Sequence, residues 1–268
     1  MDGFDTVEAM DRATAALAGQ LDRGGAGSLV HLYYTWQEHR IALGNQTSAL
    51  RADGSPAAPV IGHFYAQVHT LEQQMVRALG VWAKSTPEGR WAMEQKGVGP
   101  ILAAGLGAHI DITRAPTVGH IWRFAGLDPT VTWGKGEKRP WNAKLKVTCW
   151  KLSDSFVKVS GRPGAYYGQV YRARKELEVE RDGQLLFADQ AAHSLATKNI
   201  RDAGLKETYE SGHLPAGRLD ARARRYAVKL FLAHYHEVAR KAAGLDVPLP
   251  YAIAHLQHGH KIDPPGPS

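Results

Sequence analysis

The stretch Gly97-Val98-Gly99-Pro100 sets a valine between two glycines and then offers a proline to start a helix. Such a turn suits a nucleic-acid backbone. Glycines adopt backbone angles that other residues resist, and they leave room for a phosphate. The amide N–H groups of the turn, with the N-terminus of the following helix, give phosphate oxygens hydrogen-bond donors and a favourable dipole. Ala103, Ala104 and Gly105 lie just beyond and are small enough to let two helices approach closely. Further on come Lys135, Lys138, Arg139, Lys144, Lys146, Lys151, Lys158, Arg162, Arg172, Arg174 and Lys175, opposed between Gly134 and Lys175 only by Glu137 and Asp154. Trp133, Trp141, Tyr166, Tyr167 and Tyr171 are interleaved with these cations, a mixture that serves phosphate contact together with base or sugar stacking. The expected nucleic-acid contacts are Gly97, Val98, Gly99, Lys135, Lys138, Arg139, Trp141, Lys144 and Lys146. The plainer readings of the same residues are a glycine-ended helix meeting a proline-started one, and a solvated basic helix face.

The run GVGPILAAGLGAHIDITRAPTVGHIWRFAGLDPTVTWGKGEKRPWN resembles the C-terminal domain of the DEDD-type (Piv/MooV-like) insertion-sequence transposases. The resemblance rests on Gly97, Val98, Gly99, Pro100, Ala103 and Ala104, then on Ala125, Gly126, Leu127 and Pro129, and on the loop residues Gly134, Lys135, Gly136, Lys138 and Arg139. It implies a helix-hairpin-helix module followed by a glycine-basic loop and a basic helix that touch DNA. The whole chain is also similar to transposase-like proteins of phages and prophages, which implies the cytoplasm of a bacterial host. Two family features are missing. Residues 1 to 84 contain no strand ending in a catalytic aspartate, as the family's ribonuclease-H-like domain would require. The loop Thr130-Val131-Thr132-Trp133-Gly134 has no serine where the family places its nucleophile; Ser153 and Ser155 follow later, in a helical pattern. The expectation is a DNA-binding protein contacting mainly the phosphate backbone, with RNA open to the same contacts and no cofactor. A recombinase or nuclease, which would need a divalent metal, and a phage structural or assembly protein are the alternatives.

Other chemistry is less well served. Helix-hairpin-helix glycosylases need an acidic residue at a set distance past the hairpin; Asp111 is too near, and Asp128 precedes a proline in a turn. His234, His236, His255, His258 and His260, with Glu237 or Asp263, contain the ligand types of a metal site. His234 and His236 point different ways on a helix, however, and surface histidines are the expectation. No nucleophile-elbow pattern supports a Ser-His-Asp enzyme.

The elements that must position these residues are all helical, and the expected class is an all-α bundle carrying the hairpin module. Helices are predicted over residues 5 to 22, capped by Asp5 or Thr6 and ended by Gly24, Gly25 and Gly27, then from Ser28 to about Gly44. Residues 45 to 58 read as an exposed loop and 59 to 83 as a long helix. Helices follow over 85 to 96, 100 to 110, 116 to 126, 142 to 160 and 166 to 182, with 189 to 211 weakly helical. In the last helix, Leu219 to Ala242, the expected core stripe is Tyr226, Leu230, Ala233 and Val238, with Arg222, Arg225, Lys229 and Arg240 outside it. Three segments are expected: an N-terminal bundle over 1 to 84, the hairpin and basic helix over 85 to 182, and a C-terminal helical region with a proline-rich tail over 183 to 268. The N-terminal helices offer a seam for a homodimer as an alternative to an intramolecular bundle.

Bulk properties agree with a globular protein for an anionic partner. The 268 residues carry 33 Lys and Arg against 26 Asp and Glu, a formal net charge of +7, with 44% hydrophobic residues. The single cysteine, Cys149, excludes a disulfide framework and a cysteine-based zinc site. The amphipathic start lacks the basic-then-apolar order of a signal peptide, and no apolar run spans a bilayer, so a cytoplasmic protein without a membrane partner is expected.

Overall fold

The computed structural model describes residues 7–249 and 261–266, and within them the chain forms helices and no strand. The all-α expectation holds. Eleven α-helices occur among the described residues: α1 (Arg12–Leu17), α2 (Arg23–Ala52), α3 (Ala58–Lys84), α4 (Pro87–Glu94), α5 (Pro100–His109), α6 (Val118–Phe124), α7 (Ala143–Val159), α8 (Tyr166–Gly183), α9 (Ala188–Thr197), α10 (Ala203–Glu210) and α11 (Ala216–Ala242). No helix of the described residues is long and apolar enough to cross a membrane. The chain divides into two compact units, residues 1–93 with 98–111, and residues 94–97 with 112–268. These differ from the three segments read from the sequence: α5 belongs with the N-terminal helices, and no division falls near residue 183.

In the first unit α2 and α3 lie against one another along their length, and α5 packs on both. The small residues of α5 serve this packing, for Ala103, Ala104, Gly105 and Leu106 are all buried. Their contacts are with α2 and α3, and it is there that the close approach expected of the hairpin helices occurs. The N-terminal half departs from the sequence expectation in two places. Asp22 is in extended conformation, and its side chain accepts a hydrogen bond from Gly25 N at 2.6 Å, so the glycines begin α2 instead of ending α1. Gly44 does not stop the helix, because it faces the Tyr65 ring of α3, and α2 continues through most of the expected loop to Ala52. The cap expected at Asp5 or Thr6 lies outside the described residues; Asp11 caps α1 through Thr14 N.

In the second unit α7, α8 and α11 share a core. Phe156, Tyr167 and Phe231 form its aromatic centre, with ring centroids 5.0 to 5.6 Å apart. Phe187, Ala191, Tyr209, Leu214 and Leu219 make a second cluster, beneath α9 and α10. The buried face of α11 is rotated from the one read in the sequence. It comprises Leu219, Ala223, Ala227, Val228, Phe231, Leu232, Tyr235 and Ala239, while Tyr226 is exposed under the Arg174 guanidinium. Arg240, expected outside the core, is buried and donates to the Ala115 carbonyl at 3.2 Å.

Two of the expected surface histidines, His234 and His236, are core residues, 2% and 4% exposed. His234 Nε2 lies 2.9 Å from the Ile262 carbonyl and Nδ1 lies 2.7 Å from the Tyr167 hydroxyl. A carbonyl can only accept, so Nε2 carries the proton and Nδ1 accepts from the tyrosine. His236 Nε2 likewise donates to the Ala115 carbonyl at 2.9 Å. Burial lowers the pKa of both imidazoles and keeps them neutral. His255, His258 and His260 lie outside the described residues.

Candidate nucleic-acid interface

The turn between α4 and α5 puts its residues to uses other than those expected. Gly97 has φ +98°, and a Cβ there would meet Val159 Cγ2 at 3.1 Å and Ser155 Oγ at 3.3 Å. The glycine is therefore needed for close packing against α7. Ser155 Oγ donates to the Gly97 carbonyl at 2.5 Å and holds the turn on that helix. Val98 is 5% exposed, so its side chain cannot reach a ligand. Gly99 is exposed, with ordinary extended angles of φ −87° and ψ 176° and open space where a Cβ would stand.

The loop from Val131 to Asn142 is different: residues 132 to 140 are exposed and an internal framework orders it. Glu137 Oε2 accepts from Gly134 N, and the Glu137 carbonyl accepts from Trp133 Nε1, each at 2.8 Å. The loop's only carboxylate is thus engaged in closing the turn. Trp141 is half-buried over Gly126, whose φ of +66° and lack of a Cβ leave room for the indole. Trp133 is 41% exposed and meets Trp141 edge to face, with centroids 5.9 Å apart. Arg139 lies over Trp133 at 5.5 Å and Lys146 over Trp141 at 4.1 Å, contacts that place each cation against a ring face. Asn142 ends the loop by capping α7, accepting from Leu145 N at 2.9 Å, and its own N–H bonds the Phe124 carbonyl at 2.8 Å.

Lys135, Lys138, Arg139, Lys144 and Lys146 are all exposed, and no ion pair among the described residues engages any of them. Residues 131 to 151 hold six Lys and Arg against one Glu, so most of the chain's net +7 resides in this short stretch. Three later cations of the expected basic run are spent within the protein, whereas Arg162 and Arg172 are exposed. Lys158 pairs with Asp154 at 2.7 Å, and Lys175 with Asp220 at 3.1 Å. Arg174 and Arg222 clamp Glu178, which is 1% exposed; burial pushes its carboxyl up, but the two guanidinium groups outweigh burial and hold it below its ordinary pKa. Tyr167 and Tyr171, read as stacking residues, are buried, the first on His234 and the second donating to Asp220.

The residues weighed for catalysis have structural partners. Ser153 is buried with Oγ on the Trp150 carbonyl at 2.6 Å, and Ser155 is bound to Gly97. Asp128 accepts from Thr130 N and Oγ1 at 2.9 and 2.7 Å, bonds that lower its pKa and close a turn. Asp111 pairs with Arg23 at 2.9 Å. Cys149 is buried, and its thiol is pushed up to about 12 by burial. Among the described residues no three His, Cys, Asp or Glu side chains are placed to share a metal ion.

One exposed aromatic residue beside these cations was missed in the sequence. Trp150 is 64% exposed on α7, one turn beyond Lys146. The register of α7 could have revealed it, because Leu145, Cys149, Leu152 and Phe156 claim the buried stripe and leave position 150 outside. Comparison with family models, curated proteins and solved structures gives no match for this chain.

Proposed function

We propose that this protein binds nucleic acid through the loop 131–142 and the first half of α7, with Lys135, Lys138, Arg139, Lys144 and Lys146 contacting phosphates. The observation that carries the proposal is the set of five exposed cations without ion-pair partners among the described residues, interleaved with tryptophans on an ordered loop and the start of α7. A surface that served only solubility would not need its rings outside and its single carboxylate tied back. The resemblance to the transposase DNA-contacting domain supports the same assignment for the glycine-basic loop. Phosphate contacts carry no base information, so binding is weakly sequence-specific and sensitive to salt. The role is binding, since both serines beyond the loop are committed to backbone carbonyls.

Photocrosslinking tests the location. A labelled oligonucleotide irradiated with the full chain and digested should give adducts on peptides within residues 131 to 151. Adducts confined to the N-terminal unit, or none at saturating protein, would contradict the proposal.

A further inference from the structure

Resting on that reading of residues 131 to 151, we infer that the surface takes unpaired bases, so that its ligand is a single strand of DNA or RNA stacked on a row of tryptophans. Trp133 and Trp141 meet at 5.9 Å, and Lys146 Nζ lies 4.1 Å over Trp141. Trp150 stands four residues after Lys146 on the same side of α7, and Val147, 49% exposed, neighbours it three residues earlier. The order is therefore a cation, two rings, a cation and a ring: Arg139, Trp133, Trp141, Lys146 and Trp150. An indole left 64% exposed forgoes much of the burial that usually holds tryptophan in a core. Bases in a duplex are already stacked and present only their edges, so exposed rings add nothing to phosphate contact there. An unpaired base offers its face, and stacking of this kind tolerates any sequence.

Exposed tryptophan among lysines also suits an anionic membrane surface. The face of α7 is too narrow for that use: Val147 and Trp150 are flanked by Lys144, Lys146 and Lys151, without the broad apolar face of an interfacial helix.

The test measures fluorescence anisotropy with a labelled 15-nucleotide DNA strand, the RNA of the same sequence and the DNA duplex, and co-sedimentation with phosphatidylserine vesicles, all at one salt concentration. The variants are Trp150→Ala, Trp150→Phe and the triple change of Lys135, Lys138 and Arg139 to Ala. Position 150 is exposed and helical, so alanine keeps the fold, which circular dichroism verifies. We expect at least one single strand to bind about tenfold more tightly than duplex, and Trp150→Ala to lose about tenfold on that strand, as for one stacked base. Duplex binding should be unchanged by Trp150→Ala, and Trp150→Phe should retain most of the single-strand affinity. Equal affinity for duplex and both single strands, or equal loss on all ligands with Trp150→Ala, overturns the inference. If the basic triple variant still weakens duplex binding in that case, the nucleic-acid reading survives without it. Vesicle binding with no oligonucleotide binding overturns both.

Discussion

Gly97 and Gly99 look equivalent in the sequence, yet replacing each with alanine should give opposite results. At position 97 alanine must adopt φ +98°, a conformation L residues rarely hold, and its Cβ must displace Val159 Cγ2 from 3.1 Å and Phe156 Cδ1 from 3.4 Å. Phe156 is fully buried at the centre of the second unit and cannot retreat without disturbing Tyr167 and Phe231. Backbone strain of this kind costs about 1–3 kcal/mol, and an overpacked methyl adds a similar amount, so a destabilisation of about 2–4 kcal/mol is expected. At position 99 the backbone is ordinary and the space is open, so alanine should be neutral or stabilise by up to about 1 kcal/mol through the unfolded chain. Urea denaturation followed by far-ultraviolet circular dichroism separates the two through their midpoints. A Gly97→Ala protein as stable as Gly99→Ala would refute the claim that Gly97 is held against α7. Oligonucleotide affinity of Gly99→Ala should stay within about twofold of wild type; a large loss would return the hairpin amides to the interface.

Three further outcomes follow from the second unit. Glu178→Ala should destabilise by about 3–5 kcal/mol in the same urea assay, because Arg174 and Arg222 would be left without their shared buried carboxylate. Lowering pH should weaken the fold below about pH 6.5, where unfolded histidine takes up protons that buried His234 and His236 resist. That stability is fully present above the unfolded value and falls as pH drops through it, by at most about 1 kcal/mol per histidine between pH 6.5 and 5.5; His236→Asn should flatten the urea-midpoint profile measured across this range. Cys149, at 2% exposure and with a thiol pushed up to about 12, should resist a thiol reagent in the native protein at neutral pH and react on unfolding.

Helical class was legible because apolar spacing is a local signal, and the helices predicted over 100 to 110, 142 to 160 and 166 to 182 fall on α5, α7 and α8. Gly25, Gly27 and Gly44 misled because glycine reads as a breaker, whereas the Asp22 cap and the Tyr65 ring of a distant helix decide these positions. The basic loop was legible as charge, but charge alone does not distinguish Lys135 from Lys175. The partner of Lys175 is Asp220, brought by a helix 45 residues away in the chain. Likewise Tyr167 and Tyr171 have the composition of stacking residues, and only the packing of α8 on α11 makes them core. The buried histidines were read as surface residues for the same reason: their partners, the Ala115 and Ile262 carbonyls, are remote in sequence.

The central claim is that residues 131 to 151 bind nucleic acid through phosphate-contacting cations, and a salt series on two charge-matched variants tests it most directly. One variant changes Lys135, Lys138 and Arg139 to alanine; the other changes Arg12, Arg51 and Arg77, exposed cations of the first unit with no ion pair among the described residues. Arg40 would be a poor control because Glu72 binds it. Both variants lose three charges, so they differ only in place. The account predicts that the loop variant loses roughly ten times more affinity than the control, and that its plot of log affinity against log salt flattens by about 2, somewhat under one unit per lost contact. Equal losses, or an affinity of the unaltered protein that does not fall as salt rises, would contradict it.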